Sequence, residues 1–393
     1  DNLTALAQGT AESNASTGLY ITEDDSLTVS NVSVSRTDFN TNTESVTTAE
    51  VSQSDLVSGN NGNIILMTNA GDLILKDGND MNGNSVIADD SGNILLKAAG
   101  SNASIISEGD IQSSSGHISI IASQDITFNA GADIITAASG TIDVQAESGS
   151  LLFSTTSDQT VENGDIRLNA GTDITLGGTA STSGNISVLA SGWVHDSDVF
   201  GSLDLVSSGL RLEAGGDIGE LSNALEISVD FVSAKSGSNI NILEGNAVEI
   251  GATSATVNRI AADDNLSSIT DELQSDLVAT ADGSIIIRSQ AGDITLSDGS
   301  AAESDDSASA AGKAVHASGS GNILIRALGF DTSISVDAGV VSESGYITVL
   351  ADKDVNISSA IGIQSGGEGG VDIEAIQGSL LLGQGSVQDA GSG

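Results

Sequence analysis

Gly92-Asn93-Ile94, Gly116-His117-Ile118, Gly140-Thr141-Ile142 and Gly164-Asp165-Ile166 follow one another at intervals of 24 residues. Between them lie Gln124-Asp125-Ile126, Ala132-Asp133-Ile134, Gly149-Ser150-Leu151 and Thr172-Asp173-Ile174, each 8 or 9 residues after the mark before it. A fixed period of this size signals a solenoid. Its division into thirds gives each circuit three strands and three corners. The chain therefore reads as all-β, a parallel β-solenoid of roughly triangular coils.

Working outward from that stretch, the pattern is clear from Gly62-Asn63-Ile64 and Gly71-Asp72-Leu73 onward. Side chains alternate across a strand, so the first and third apolar residues of each unit share a face. Ile64 with Leu66, Ile94 with Leu96, Ile118 with Ile120, Ile142 with Val144 and Ile166 with Leu168 are expected to point inward. Coil on coil, they would form aliphatic columns about 4.8 Å apart. The middle residues Ser119, Asp143, Arg167 and Ser187 are expected to face water. Gly and Asn/Asp suit the corners, Gly through its access to positive φ and Asn/Asp through bonds to their own backbone and tolerance of the left-handed region. Helical periodicity is nearly absent. The exception is Leu266 to Leu277, where Asp271-Glu272-Leu273 suits a short amphipathic turn on a loop.

A longer period overlies the short one. Gln53-Ser54-Asp55-Leu56-Val57 recurs 221 residues later as Gln274-Ser275-Asp276-Leu277-Val278. Beyond Gly299 the offset becomes 229, as between Gly92-Asn93-Ile94 and Gly321-Asn322-Ile323, so the second copy holds eight extra residues between Gly299 and Gly321. An insertion that leaves the register intact on both sides belongs on a loop. The expected organisation is an incomplete leading coil over 1–19, a first long repeat over 20–242, and a second, partial one over 243–393 in the same continuous solenoid. The stretches 36–57, 191–208, 252–280 and 299–320 read as outward loops.

Composition bounds the function. Acidic residues number 54 against 11 basic, giving a net charge of −43, with no Cys, no Pro and 2% aromatics. Such a balance usually means disorder. Here 38% of the residues are hydrophobic and they arrive in strict register, which disorder does not produce. The acidity excludes nucleic acid and anionic membrane surfaces, which need clustered Lys and Arg. No apolar run is long enough to insert in a membrane.

At this point the Gly-Asn/Asp-Ile-x-Leu coils resemble the right-handed parallel β-helix of haemagglutinin-type secreted adhesins. The larger block, from Gln53-Ser54-Asp55 through Gly62-Asn63-Ile64 to Gly116-His117-Ile118, resembles the long repeats of very large bacterial surface proteins. The resemblance covers nearly all the chain from Tyr20 onward. It implies right-handed winding, secretion, an extracellular or cell-surface place, and a stalk or adhesive role.

Chemistry is harder to find. An enzyme acting on acidic glycans needs a base, neutralising cations and aromatic platforms. Arg167, Arg211, Arg259, Arg288 and Arg326 are scattered singly, and His117, His195 and His316 occupy unrelated positions. His117 stands in a corner slot held elsewhere by Asn93, Thr141 and Asp165, which reads as a tolerated turn residue. No catalytic residues or cofactor sites are assigned, and the chain is not read as an enzyme. Trp193-His195-Asp196 form the one aromatic-histidine-acid group and the candidate ligand or partner surface. Calcium is the one cofactor weighed. Oxygen-rich loops suit it, and Asp305, Asp306 and Asp372 are its weak candidates, Asp372 through Gly366-Gly367-Glu368-Gly369-Gly370 before it. The expectation is a shaft of roughly 15 coils and roughly 70 Å, or a filament subunit. Its partners would be further copies of itself or neighbouring repeats end to end. The alternative is a module binding glycans or host surfaces through its loops.

Overall fold

A computed structural model describes residues 2–3, 5–7, 18–39, 45–49, 52–79, 81–198, 201–299 and 312–392. The chain forms two compact units, residues 1–161 with 258–267, and residues 162–257 with 268–393. No helix occurs among the described residues, so none there is long and apolar enough to cross a membrane. Both units are built from parallel ladders wound in the manner of a solenoid.

In the first unit one ladder stacks Leu19–Glu23, Ile64–Thr68, Ile94–Ala98, Ile118–Ala122 and Ile142–Ala146. A second stacks Leu27–Val29, Leu73–Leu75, Ile105–Ser107, Ile126–Phe128 and Leu151–Phe153. The third runs Ala5–Ala7, Leu56–Ser58, Asn84–Ala88, Asp110–Ser113, Ile134–Thr136 and Gln159–Val161. The register pairs Ile64, Ile94, Ile118 and Ile142 in one column and Leu66, Leu96, Ile120 and Val144 in the next, all with 0% exposure. Full burial of each such side chain contributes about 1.5–3 kcal/mol, and that sum replaces a globular core. Ile166 and Leu168, in the second unit, are equally buried. Phe128 and Phe153 stack within their column at 5.1 Å between centroids.

The second unit contains the two long strands that depart from the pattern among the described residues, Leu205–Ala214 and Leu225–Ser236. Leu225–Ser236 is 12 residues long and pairs along one edge with Leu205–Ala214. Along its other edge Leu225–Ile227 meets Ile242–Glu244, Phe231-Val232 meets Glu249-Ile250, and Ala234–Ser236 meets Leu277–Ala279. One long strand thus feeds three ladders, and the sides exchange roles there. Three regular ladders follow, beginning at Ile240–Glu244, Val248–Ile250 and Leu277–Ala279.

At the corners the left-handed region falls mostly to Asn and Asp, as their tolerance of it allows, and not to Gly92, Gly116 and Gly140. It is taken by Asp90 before Gly92 and by Ala138 before Gly140, as by Asn60 and Asn61 before Gly62. The reason for the glycines is close approach. A Cβ on Gly92 would collide with the carbonyl oxygen of Gly62, one on Gly116 with that of Gly92, and one on Gly140 with that of Gly116. The corner Asn and Asp staple successive coils. His117 N–H donates to Asn93 Oδ1 at 2.8 Å, Asn93 N–H to Asn63 Oδ1 at 2.7 Å, and Ser150 N–H to Asp125 Oδ1 at 2.8 Å. Each satisfies a backbone donor where the ladder is interrupted.

Two hairpins stand apart from the ladders. Ser35–Phe39 pairs antiparallel with Ser45–Ala49, and Thr256–Ile260 pairs with Leu266–Thr270. Every bound of the second is that of the first shifted by 221 residues. The bridges at their bases, Val32 to Gln53 and Thr253 to Gln274, keep the same offset. Of the stretch Leu266 to Leu277, Leu266–Thr270 is a strand, because it finds a partner strand ten residues earlier, and Asp271-Glu272-Leu273, the place of the expected amphipathic turn, is irregular chain. Of the outward loops, 252–280 is largely this hairpin and its stem, 191–208 includes the strand Val194–Asp196, and residues 300–311 lie outside the described residues.

Candidate functional site

The expectation that Ser119, Asp143, Arg167 and Ser187 face water is overturned. Ser119, Asp143 and Ser187 are 0% exposed and Arg167 is 7% exposed. Alternation does turn them outward, but the second hairpin and its stem cover them. In the first unit Ile260 packs against Ile65, Leu95 and Ile121, with Met67 beside them, so the outward aliphatics of three coils are sealed. Arg259 Nε donates to Asp143 Oδ2 and Arg259 Nη2 to Gln145 Oε1, both at 2.6 Å. Ile260 N–H donates to Ser119 Oγ at 3.1 Å, and Asn63 Nδ2 to both oxygens of Asp264. Tyr20 also donates to Asp264, at 2.8 Å, and its phenol is pushed up by burial and by that carboxylate.

The second unit repeats the arrangement with the stem. Arg167 Nε meets Asp271 Oδ1 at 2.9 Å, with both side chains less than a tenth exposed. Arg211 Nε donates to the Glu272 carbonyl, Asn185 Nδ2 to the Ser254 carbonyl, and Thr256 N–H to Asp165 Oδ2. Arg167, Arg211 and Arg259, three of the arginines that look scattered in sequence, are therefore spent on fastening the cover. His117 joins it too, with Nδ1 accepting from Thr141 N–H at 3.1 Å and Nε2 lying 3.3 Å from Asn258 Nδ2. Burial lowers its pKa. His316 is buried elsewhere, its pKa lowered by burial and then by Lys313.

Trp193, His195 and Asp196 do not share one surface. Trp193 is half exposed and its indole lies over Gly216, where a Cβ would collide with Trp193 Cδ1. His195 stands edge-on to it at 5.3 Å between centroids, with Nδ1 3.4 Å from Glu220 Oε1. Together with Leu221, Asp217 and Asn239 these two line an open depression. Asp196, at the next alternation, turns inward.

Asp196 occupies a core slot. Its register partner is Leu176, which is fully buried. There it meets Asp204, just ahead of Leu205–Ala214, and Glu226, within Leu225–Ser236. One carboxylate oxygen from each lies within 4.8 Å of the others. Asp204 is 1% exposed, Glu226 7% and Asp196 8%. Burial, followed by the charge of Asp196, pushes Asp204 up to about 9 and Glu226 up to about 7. Burial, with Asp198 adding to it, raises Asp196 as well. Asp196 Oδ2 accepts from Asn223 Nδ2 at 2.6 Å, Asp196 Oδ1 from Asp198 N–H at 2.8 Å, and Asp204 Oδ2 from Glu226 N–H at 2.8 Å. Glu226 Oε2 is buried without a partner.

The calcium candidates named from sequence lie elsewhere. Asp372 is exposed in Val371–Ala375, in register with Thr348 and outside any metal-competent cluster of the described residues. Asp305 and Asp306 fall outside the described residues. One sequence signal pointed to the observed cluster: Val194-His195-Asp196 carries an acid in the third position of a strand, where the corresponding strands place an aliphatic, Phe or Ser residue and no acid.

No protein-family model, curated protein or solved structure matches this chain.

Proposed function

We propose that the chain is a structural segment of a large extracellular or cell-surface protein, a right-handed parallel β-solenoid of three-sided coils serving as a rigid shaft. The observation that carries this reading is the hairpin cover. Ile65, Leu95 and Ile121, with Arg167, Arg211 and Arg259, which a binding protein would leave free, are instead covered by the chain's own repeat element. Parallel ladders with stapled corners suit length and stiffness rather than a reacting centre. The resemblance to haemagglutinin-type secreted adhesins supports the same place and role.

The partner in this reading is another repeat of the same kind. The twin hairpin exposes Phe39 at 81% and Val46 at 49%, where its counterpart at 256–270 buries Ile260. In the second unit Ile286, Leu324 and Leu350, the equivalents of Ile65, Leu95 and Ile121, are only partly buried. The bare hairpin is thus the element by which one repeat seats on the outer face of a neighbour. Disulfide trapping tests this. Mixing chains carrying Phe39→Cys and Leu324→Cys should yield a crosslinked pair, whereas Phe39→Cys with Leu381→Cys should not. Small-angle scattering tests the shaft, which requires one elongated particle and is refuted by two freely jointed lobes.

A second reading has one observation in its favour. Trp193 and Leu221, exposed at 49% and 65%, flank a depression with His195 and Glu220, a pairing of apolar platform and polar groups that suits a sugar ring. Binding on a glycan array that disappears in Trp193→Ala would favour an adhesive module over a plain shaft.

A further inference from the structure

We propose that Asp196, Asp204 and Glu226 form a divalent-cation site, built for calcium, that fastens two successive coils where the long strand Leu225–Ser236 redistributes the ladders. This goes beyond the shaft reading and stands without it.

An aspartate in a column position next to Leu176 replaces an aliphatic contact by a charge that the core cannot solvate. Asp204 and Glu226 bring two more acids to the same point, one oxygen from each within 4.8 Å of the others and every side chain more than nine-tenths buried. Among the described residues no Lys, Arg or His forms an ion pair with any of the three. Asp196 makes side-chain contacts with Asp204 and Glu226, and the N–H donors reaching the cluster are those of Asn223, Asp198 and Glu226. Glu226 Oε2 accepts nothing although it is buried. A second orphan is Asp198 Oδ1, buried without a partner two residues after Asp196. A buried acceptor left unmatched is costly, and a cation would satisfy these oxygens together.

The donor set selects the ion. All the converging atoms are hard oxygens, with no Cys in the chain and the only nearby histidine, His195, turned outward toward Glu220. Calcium takes six to eight such oxygens in irregular geometry, whereas magnesium demands a near-ideal octahedron. The carbonyls of Asp196 and Asp198, both already within reach of Asn223 Nδ2, are further oxygens at the same turn. Bound there, the ion would tie the end of Val194–Asp196, the entry to Leu205–Ala214 and the start of Leu225–Ser236.

The test uses the whole 393-residue chain in physiological salt, with calcium, magnesium and terbium as probes. Trp193 is the only tryptophan, three residues from Asp196 and so about 10 Å along the strand; it should sensitise terbium luminescence. Calorimetry should give one calcium per chain, with a dissociation constant between about 10⁻⁵ and 10⁻³ M, and calcium should raise the melting temperature. In Asp204→Asn with Glu226→Gln, affinity should fall at least about tenfold, the 1.4 kcal/mol of one lost decade. The melting temperature should then ignore calcium. Because the amides keep an oxygen for the Glu226 N–H bond, this variant should retain its circular dichroism and melt at or above the metal-free parent. Asp372→Asn should bind as the parent does. Unchanged melting and luminescence in the parent at millimolar calcium would overturn the proposal. So would calcium binding that survives undiminished in the double variant, which would assign it to the diffuse acidic surface.

Discussion

Replacing Arg259 by Met should loosen the second hairpin far more than replacing Asp143 by Asn, although both changes break the same ion pair. The reason is unequal burial. The Asp143 side chain is 0% exposed, whereas that of Arg259 is 23% exposed and also bonds Gln145. Removing the guanidinium takes a 2.6 Å ion-pair partner from a fully buried carboxylate, which costs up to about 3–5 kcal/mol. Removing the negative charge leaves an arginine that keeps Gln145, an amide oxygen and a route to water, which costs about 1–2 kcal/mol. The gap of about 2 kcal/mol is roughly a 30-fold difference in the opening equilibrium of the hairpin. Hydrogen–deuterium exchange over residues 256–270 reads that equilibrium, with the Ile260 amide, bonded to Ser119 Oγ, as the local reporter. Equal effects of the two substitutions, or a larger one from Asp143→Asn, would show that the cover does not desolvate Asp143 and would refute the reasoning.

Ile260→Ala, at a side chain 2% exposed, should weaken the same hairpin by about 2–5 kcal/mol, while Phe39→Ala in the bare twin should stay within about 0.5 kcal/mol when both are followed by exchange. Glu244, buried beneath the Val229 and Asn246 amides, is raised from 4.5 to about 7, chiefly by burial. The folded state then holds that proton more tightly than the unfolded one. Its contribution is full below pH 4.5 and is lost as pH rises to about 7, a change of about 3 kcal/mol by which the loss in urea titrations of the parent should exceed that of Glu244→Gln, which keeps the contributions of Asp204 and Glu226. Phe153→Ala, which empties half of a fully buried stack, should destabilise the first unit by about 3–5 kcal/mol, readable as lost exchange protection over 126–153.

The ladders were legible because strand alternation and coil period are local rules. Ile94, Ile118 and Ile142 announce the same column whatever lies outside it. The corner glycines were legible as corners, but their reason was not. Sequence offers positive φ as the usual explanation, whereas Gly92, Gly116 and Gly140 are required by a carbonyl one coil away. The cover was hidden for the same kind of reason. Residues 256–270 carry no marked apolar stripe, and only Ile260 of that strand reaches the outward cluster. The matching offset of Gln53-Ser54-Asp55-Leu56-Val57 and Gln274-Ser275-Asp276-Leu277-Val278 showed that something repeated there without saying what it touched.

By itself the sequence determined which side chains line each coil's interior and where the chain turns, because spacing along a strand fixes the face of every residue. Only the tertiary structure decided what lies over the outer faces. Whether Asp143 meets water or Arg259, and whether Asp196 meets solvent or two more carboxylates, depends on segments distant in the chain, and burial rather than residue type sets the energy of a charge.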